Sequence, residues 1–323
     1  MEGLNNQRTQ IVACLLVLVG MIVLSFILPV YAIMVITEIL IMGFFAMSFN
    51  IIFGYTGLLS FGQAGFFGVG AYVTALIIMH GGQSLILAIV ASGVAAAVVA
   101  AVIGYLCVKR NEIYFAMITL AFGMMLYTIA HNWIQVTGGS DGLPLMNIPP
   151  LHFFGAEISL FEPRNMFLFV LTITSLGVYF MWRIVRSPFG LMLTAIRENM
   201  ERLSFVGANV RRLRLWAFII SGAMAGIAGG LLCIFNSMAT PDSMHWSASS
   251  RPILMTVLGG SGIFFGPMIG AVIFFGLEQV ITNVTENWMI ILGIILIPVV
   301  IFFPRGILGT LVHWINKKRE LRT

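Results

Sequence analysis

The chain has 323 residues, 59% hydrophobic and 9% charged, with a formal net charge of +5 and a mean hydropathy of +1.02. A soluble globular chain carries about 25% charged residues, so a soluble core could not hide this much apolar surface, and lipid is the solvent for most of it. Long unbroken apolar runs exclude a transmembrane barrel, whose strands read as roughly ten-residue alternating segments.

The expected fold is all-α: one polytopic transmembrane domain over residues 1–323, with about 8–10 spans and Gly-interrupted or re-entrant segments. Apolar runs fall at 11–28, 31–53, 63–80, 85–108, 113–135, 165–183, 213–236, 252–282 and 287–304. The first, behind Arg8, resembles a signal peptide with Val30-Tyr31-Ala32 as a cleavage-like site. It exceeds the usual apolar core of about 7–15 residues and is read as a retained span.

Next comes NIIFGYTGLLSFGQAGFFGVGAY, Asn50 to Tyr72, with six glycines and the polar residues Asn50, Thr56, Ser60 and Gln63. Two readings stand. Gly57, and Gly62, Gly65 and Gly68 at i, i+3 spacing, would let helices approach closely. In the other reading they do so while Asn50, Ser60 and Gln63 also line a substrate path. The second interrupted stretch is LGGSGIFFGPMIGA, Leu258 to Ala271, with Gly259, Gly260, Gly262, Gly266 and Pro267 in its middle. Paired Gly/Pro-interrupted spans in two halves of a chain point to a substrate path. Gly259, Gly260 and Gly266 therefore join Asn50, Ser60 and Gln63 as candidate path residues.

Glu38 and Glu278 fall inside apolar runs, so they should face the bundle interior, a cavity or an interface. Proton coupling and a structural, hydrogen-bonded carboxyl are both open. His80, His131 beside Trp133, and His245 fall at predicted outer ends, where an interfacial aromatic belt accounts for them. Cys14, Cys107 and Cys233 lie in apolar runs without CxxC spacing, which speaks against a disulfide framework and a metal site. No cofactor is expected.

Lysine and arginine set the orientation. Lys109-Arg110, the segment Arg183–Arg214, and the tail with Arg305, Lys317, Lys318, Arg319 and Arg322 should face the cytoplasm. Loops 136–164 and 237–250 should face outward. Arg8 and the tail both belong inside, which requires an even number of crossings. Nine runs are odd, so one must be re-entrant, broken or double.

The segment at about 186–212 is the one sizeable polar piece on the inner face. Ser187-Pro188 reads as N-cap and first helical residue. Phe189, Leu193, Ile196, Met200 and Leu203 recur on one helical face. Arg197, Glu198, Glu201 and Arg202 lie off that stripe. Gly207 should stop the helix and Asn209 cap the next. Such a helix can rest on the bilayer, be a plain loop, or dock in a partner's groove. Its mixed Arg and Glu suit a protein partner.

Glu201-Arg202-Leu203 and, three residues on, Gly207 resemble the Glu-Ala-Ala…Gly coupling loop of ATP-binding-cassette importer permeases. The chain departs at Arg202 and Leu203 and lacks the downstream proline. RSPFGLMLTAIREN, VGANVRRLRLWAFIISGAMAGIAGGL, TGGSDGLP, MTVLGGSGIFFGPMIGA, FFPRGILG and the stretch from Asn50 together resemble the branched-chain amino acid permease family, over about Glu38 to Leu311. The resemblance is to its M-type subunit. It implies a second, H-type permease, two cytoplasmic ATPases, a periplasmic binding protein, and leucine, isoleucine and valine as cargo in a bacterial inner membrane, with both termini cytoplasmic. It also implies that Arg197, Glu198, Asn199, Glu201, Arg202 and Gly207 couple the chain to the ATPases. Urea and short-amide permeases are similar enough to stand as an alternative.

The chain holds no Gly-x-x-x-x-Gly-Lys-Ser/Thr, its lysines being Lys109, Lys317 and Lys318, so ATP hydrolysis must come from a partner. It shows no catalytic constellation and is not expected to be an enzyme. The rival functions are a passive channel for small neutral solutes lined by Asn50, Ser60 and Gln63, and a proton-coupled transporter using Glu38 or Glu278. An intramembrane enzyme ranks behind both for want of an acid/base pair.

Overall fold

The computed structural model describes residues 18–81, 84–109, 112–146, 148–153, 156–282 and short pieces between 290 and 310. Arg8, Cys14, Arg110, most of the run 287–304, and Arg305 with the basic residues of the tail lie outside the described residues. Of the first apolar run, a short apolar helix, α1 (Leu18–Ile27), is described.

The protein is an all-α polytopic membrane protein. Its helices are α2 (Val30–Thr56), α3 (Gln63–Met79), α4 (Leu85–Cys107), α5 (Glu112–Asn132), the single turn α6 (Ile134–Thr137), α7 (Pro163–Val185), α8 (Pro188–Glu198), α9 (Met200–Phe205), α10 (Val210–Asn236), α11 (Trp246–Gly259) and α12 (Gly266–Thr282). Among the described residues five of these, α2, α4, α5, α7 and α10, are long and apolar enough to cross a membrane. Four short strands depart from pure helix. β1 (Leu143–Pro144) pairs antiparallel with β4 (Met238–Ala239), tying the two loops expected to share a side, and β2 (Leu151–Phe153) pairs with β3 (Ala156–Ile158).

With nearly every residue apolar, side-chain size rather than polarity decides which face of a helix is buried. On α4 the exposed stripe is Val90, Val94, Val98 and Val102, while the buried one is Ala88, Ser92, Ala96, Ala100 and Gly104. Small residues let backbones approach, which is what holds helices together in lipid. The face of α4 with small residues meets α10, which presents Gly222 and Gly226 to Ala100 and Ala96. A Cβ on Gly70 of α3 would stand 2.0 Å from the Gly226 carbonyl oxygen, and one on Gly229 would stand 1.8 Å from that of Phe67. The contacts Phe66–Gly222, Gly70–Gly226 and Thr74–Gly230 make α3 parallel to α10, and those of α4 make it antiparallel.

The expected packing role of Gly62 and Gly65 holds: both meet α5, at Thr119 and at Gly123 with Leu126. Gly68 meets Met244 instead.

The predicted run 252–282 is two helices. α11 and α12 form an antiparallel hairpin, in which Gly270 abuts Met255 and Gly266 abuts Gly259. Residues 260–265 between them are non-helical. A hairpin that enters and leaves at one end would add no net crossing, one of the ways in which an odd number of runs can be reconciled with two inner termini.

Candidate functional site

Both glycine-interrupted stretches carry non-helical backbone among buried residues. α2 ends at Gly57, whose φ of 78° closes the helix. Gly57 N–H bonds to the Phe53 carbonyl at 3.1 Å and Leu58 N–H to that of Ile52 at 3.2 Å, the paired pattern of a left-handed C-cap. Residues 57–62 then climb back into the protein, and α3 starts at Gln63 beside Ser221. Ser221 is the twelfth residue of α10, about 16 Å along it at 1.5 Å per residue. Buried backbone at that depth needs partners. Thr119 Oγ1 accepts from Phe61 N–H at 3.3 Å, and Ser249 Oγ accepts from Ala64 N–H at 3.0 Å.

The tip of the α11–α12 hairpin is held by Asn50. Its Nδ2 donates to the Ile263 carbonyl at 3.0 Å, and its Oδ1 accepts from Gly262 N–H at 3.1 Å. One buried amide thus reads both polar groups of a turn. Gly54, one helical turn on, keeps the space clear: a Cβ there would stand 1.9 Å from Asn50 Oδ1 and 2.6 Å from Gly262 N.

α7 turns into α8 at Ser187-Pro188. Ser187 stands at the N-cap, but its hydroxyl donates back to the Ile184 carbonyl at 2.6 Å instead of capping α8. The expected single helix is broken at Asn199, which has extended backbone, and whose side chain caps α9 by accepting from Arg202 N–H at 2.9 Å. Leu193 and Ile196 are buried as the stripe requires, Phe189 and Leu203 partly so. The break turns Met200 outward to 40% exposure. Gly207 ends α9 with φ 86°, and Asn209 caps α10 at Arg212 N–H, both as expected. Glu198, Glu201 and Arg202 are exposed. Phe205 and Val206 stand 87% and 83% exposed beside them, apolar surface at the basic end of the bundle.

Arg197 does something different. Its Nη1 donates to the Gly54 carbonyl, at the end of α2. Its stem lies 3.4 Å from where a Gly57 Cβ would be, and its Nη1 lies 2.7 Å from where a Gly262 Cβ would be. One side chain from α8, itself exposed on its outer side, therefore lies against both non-helical segments. The structure brings Arg197, Asn50, Gly259, Gly260 and Gly266 to one locus. Glu198, Asn199, Glu201, Arg202 and Gly207 stay on the surface around the α8–α9 turn.

Gln63 and Ser60 form a second, deeper group, both with 0% exposure. Gln63 Nε2 donates to Ser221 Oγ at 2.7 Å, and Ser221 donates to the Ser48 carbonyl at 2.7 Å. This ties α3 to α10 and α2.

Glu38 and Glu278 are half-buried on α2 and α12, and Arg251 of α11 lies within electrostatic reach of each. Arg251 was not among the residues the sequence singled out, because it precedes the run counted from 252. α11 begins at Trp246 and places it inside a helix. Ser221, Ser249 and Thr119 were also missed; a hydroxyl inside a span carries no periodic signal. Among the described residues no group of three or more His, Cys, Asp or Glu side chains could hold a metal ion, and Cys107 and Cys233 are buried and unpaired to each other.

A family model described as the permease component of branched-chain amino acid transport systems matches residues 31–300. The chain is 28% identical over 280 residues to the high-affinity branched-chain amino acid transport permease LivM of Escherichia coli K12, a match covering 80% of this chain and 65% of that relative. It therefore spans just under two thirds of that relative's length. Against LivH of the same organism it is 27% identical over 285 residues, 82% of this chain and 90% of the relative. Against the probable LivM of Methanocaldococcus jannaschii it is 26% identical over 290 residues, 79% and 82% respectively. No solved structure matches.

Proposed function

The chain belongs to the permease-component family of branched-chain amino acid transport systems, and from that membership we propose that it is an M-type transmembrane subunit of an ATP-binding-cassette importer for branched-chain amino acids. Its partners are an H-type permease, two cytoplasmic ATPases and a periplasmic binding protein. It sits in a bacterial inner membrane with its basic end, Lys109, Arg183, Arg186, Arg211 and Arg212, toward the cytoplasm, as positive-inside bias favours.

The observation that carries the reading is Arg197. The ATPases grip the α8–α9 turn through Glu198, Asn199, Glu201, Arg202 and the exposed Phe205-Val206. When they close, α8 moves, and Arg197 carries that movement to the end of α2 and the tip of the α11–α12 hairpin. Asn50 holds the tip in one of its positions. The non-helical stretches 57–62 and 260–265 absorb the displacement, since hinges are short segments that take up φ/ψ change. Cargo reaches the path preselected by the binding protein, so weak contacts along it suffice.

The test is reconstitution of the complex in proteoliposomes with loaded binding protein. Arg197→Ala should assemble with the ATPases and retain basal ATP hydrolysis, while leucine uptake per ATP falls at least tenfold. Normal coupled uptake by Arg197→Ala would remove the lever. Uptake by this chain alone, without ATP, would replace the importer with a passive channel.

A further inference from the structure

Three ionisable side chains from three helices stand at neighbouring levels, away from Arg197. Antiparallel register fixes their level. Tyr31 meets Gln279, and Gly43 meets Met268 and Ala271, which sets Glu38 opposite the turn of Phe274. Gly270 against Met255 sets Arg251, one turn before Met255, opposite the same turn, and Glu278 is one turn beyond it. Glu38 lies within electrostatic reach of Glu278 and Arg251, and Glu278 of Arg251. All three are partly exposed.

Charged groups in a span avoid hydrocarbon, facing a partner or a water-filled path and complementing one another. A structural salt bridge needs one carboxylate for one guanidinium. Here two carboxylates and one guanidinium stand within electrostatic reach of one another. The side chains next along the same faces are apolar: Met34, one turn before Glu38, is 45% exposed, and Phe275 precedes Glu278 by three residues.

From this juxtaposition we infer that Glu38, Arg251 and Glu278 form a transit site for a zwitterionic amino acid. The Arg251 guanidinium takes the α-carboxylate, and Glu38 with Glu278 takes the α-ammonium. A planar guanidinium matches a carboxylate bidentately. In a medium of low dielectric, a ligand bearing both charges needs both partners, because each charge left unpaired there is strongly unfavourable. The exposed Met34 lies where an aliphatic side chain would rest. A neutral amide would leave all three charges unanswered. The inference rests on the amino-acid reading above and extends it to a place on this chain.

The purified permease complex in nanodiscs tests it, by saturation-transfer NMR with millimolar L-leucine, isoamylamine (no carboxylate) and isocaproate (no ammonium). Leucine should give a signal at least tenfold above both analogues. Arg251→Gln and Glu38→Gln should abolish it, while Arg251→Lys and Glu38→Asp keep a part. Equal signals from all three compounds, or an unchanged leucine signal in both glutamine variants, overturn the site. So does loss of signal in glutamine and conservative variants alike with a lower Tm, which marks a structural brace. ATP-driven leucine uptake measured on the same preparation separates the two claims. A binding pattern as expected without such uptake keeps the site and removes the importer. Normal uptake with no leucine-specific signal removes the site alone.

Discussion

Asn50→Ala is the sharpest perturbation of the lever. It deletes the bond from Nδ2 to the Ile263 carbonyl and the one from Gly262 N–H to Oδ1. Each buried backbone group left unsatisfied costs about 1–3 kcal/mol. Gly262 and Ile263 are only partly buried, so water recovers part of the loss, and about 2 kcal/mol for the pair is a fair expectation. At 1.4 kcal/mol per decade, that shifts the docking equilibrium of the hairpin tip roughly 30-fold. Native-state amide exchange reads such local opening directly. The amides of residues 260–265 should exchange about 30-fold faster in Asn50→Ala, with the α3–α10 interface unaffected. Asn50→Asp keeps the acceptor for Gly262 N–H and loses the donor to Ile263, so it should fall between. Exchange at the tip within twofold of wild type in Asn50→Ala would refute the clamp, and with it the route from Arg197 to the hairpin.

Gly70→Ala should lower Tm and yield by overpacking, about 1–3 kcal/mol or more, because its Cβ would meet the Gly226 carbonyl at 2.0 Å; Gly276→Ala, with open space around it, should leave Tm unchanged in a thermal-shift assay. Ser221→Ala leaves Gln63 Nε2 without its acceptor at a fully buried site, and should cost about 1–3 kcal/mol in denaturant unfolding. Gly207→Leu meets no neighbour but must hold φ 86°, a cost of roughly 1–2 kcal/mol confined to the α9 turn; normal membrane insertion with lost transport and disturbed ATP hydrolysis is expected, and intact uptake at normal expression would count against the turn's role.

Hydropathy made the spans legible because crossing length is set by the bilayer, and α2, α3, α4, α5, α7 and α10 begin and end within a few residues of their runs. The break in 252–282 was legible too, from Gly259, Gly260, Gly262 and Pro267 and from the parity of the crossings. The break at Asn199 was not. The apolar spacing from Phe189 to Leu203 runs on across it, and only the capping preference of asparagine hints that the helix restarts. Arg251 was hidden by Pro252, which reads as a helix boundary yet lies inside α11. The pairing of β1 with β4 is two residues long, too short for any alternation to register. Most of all, sequence could nominate Asn50 and Arg197 separately but not their meeting, since they are joined through backbone groups of Gly54 and Gly262 that no side-chain pattern encodes.

The division between glycine contacts and polar contacts bears on how such a bundle moves. α3, α4 and α10 are joined by backbone approaches so close that a single Cβ does not fit. Dispersion across such an interface falls away within about 1 Å of separation, so these helices move together or not at all. The hairpin tip is held by two hydrogen bonds to the Asn50 amide, and Arg197 lies beside it while bonding to the end of α2. Hydrogen bonds of that kind contribute about 0.5–1.5 kcal/mol each, and water or a neighbouring carbonyl can replace them once the tip leaves. A lever needs a rigid frame and a catch weak enough to release. In the proposed coupling, the size-segregated interface would make the frame from residues that look interchangeable in a hydropathy profile, and Asn50 with Arg197 would make the catch.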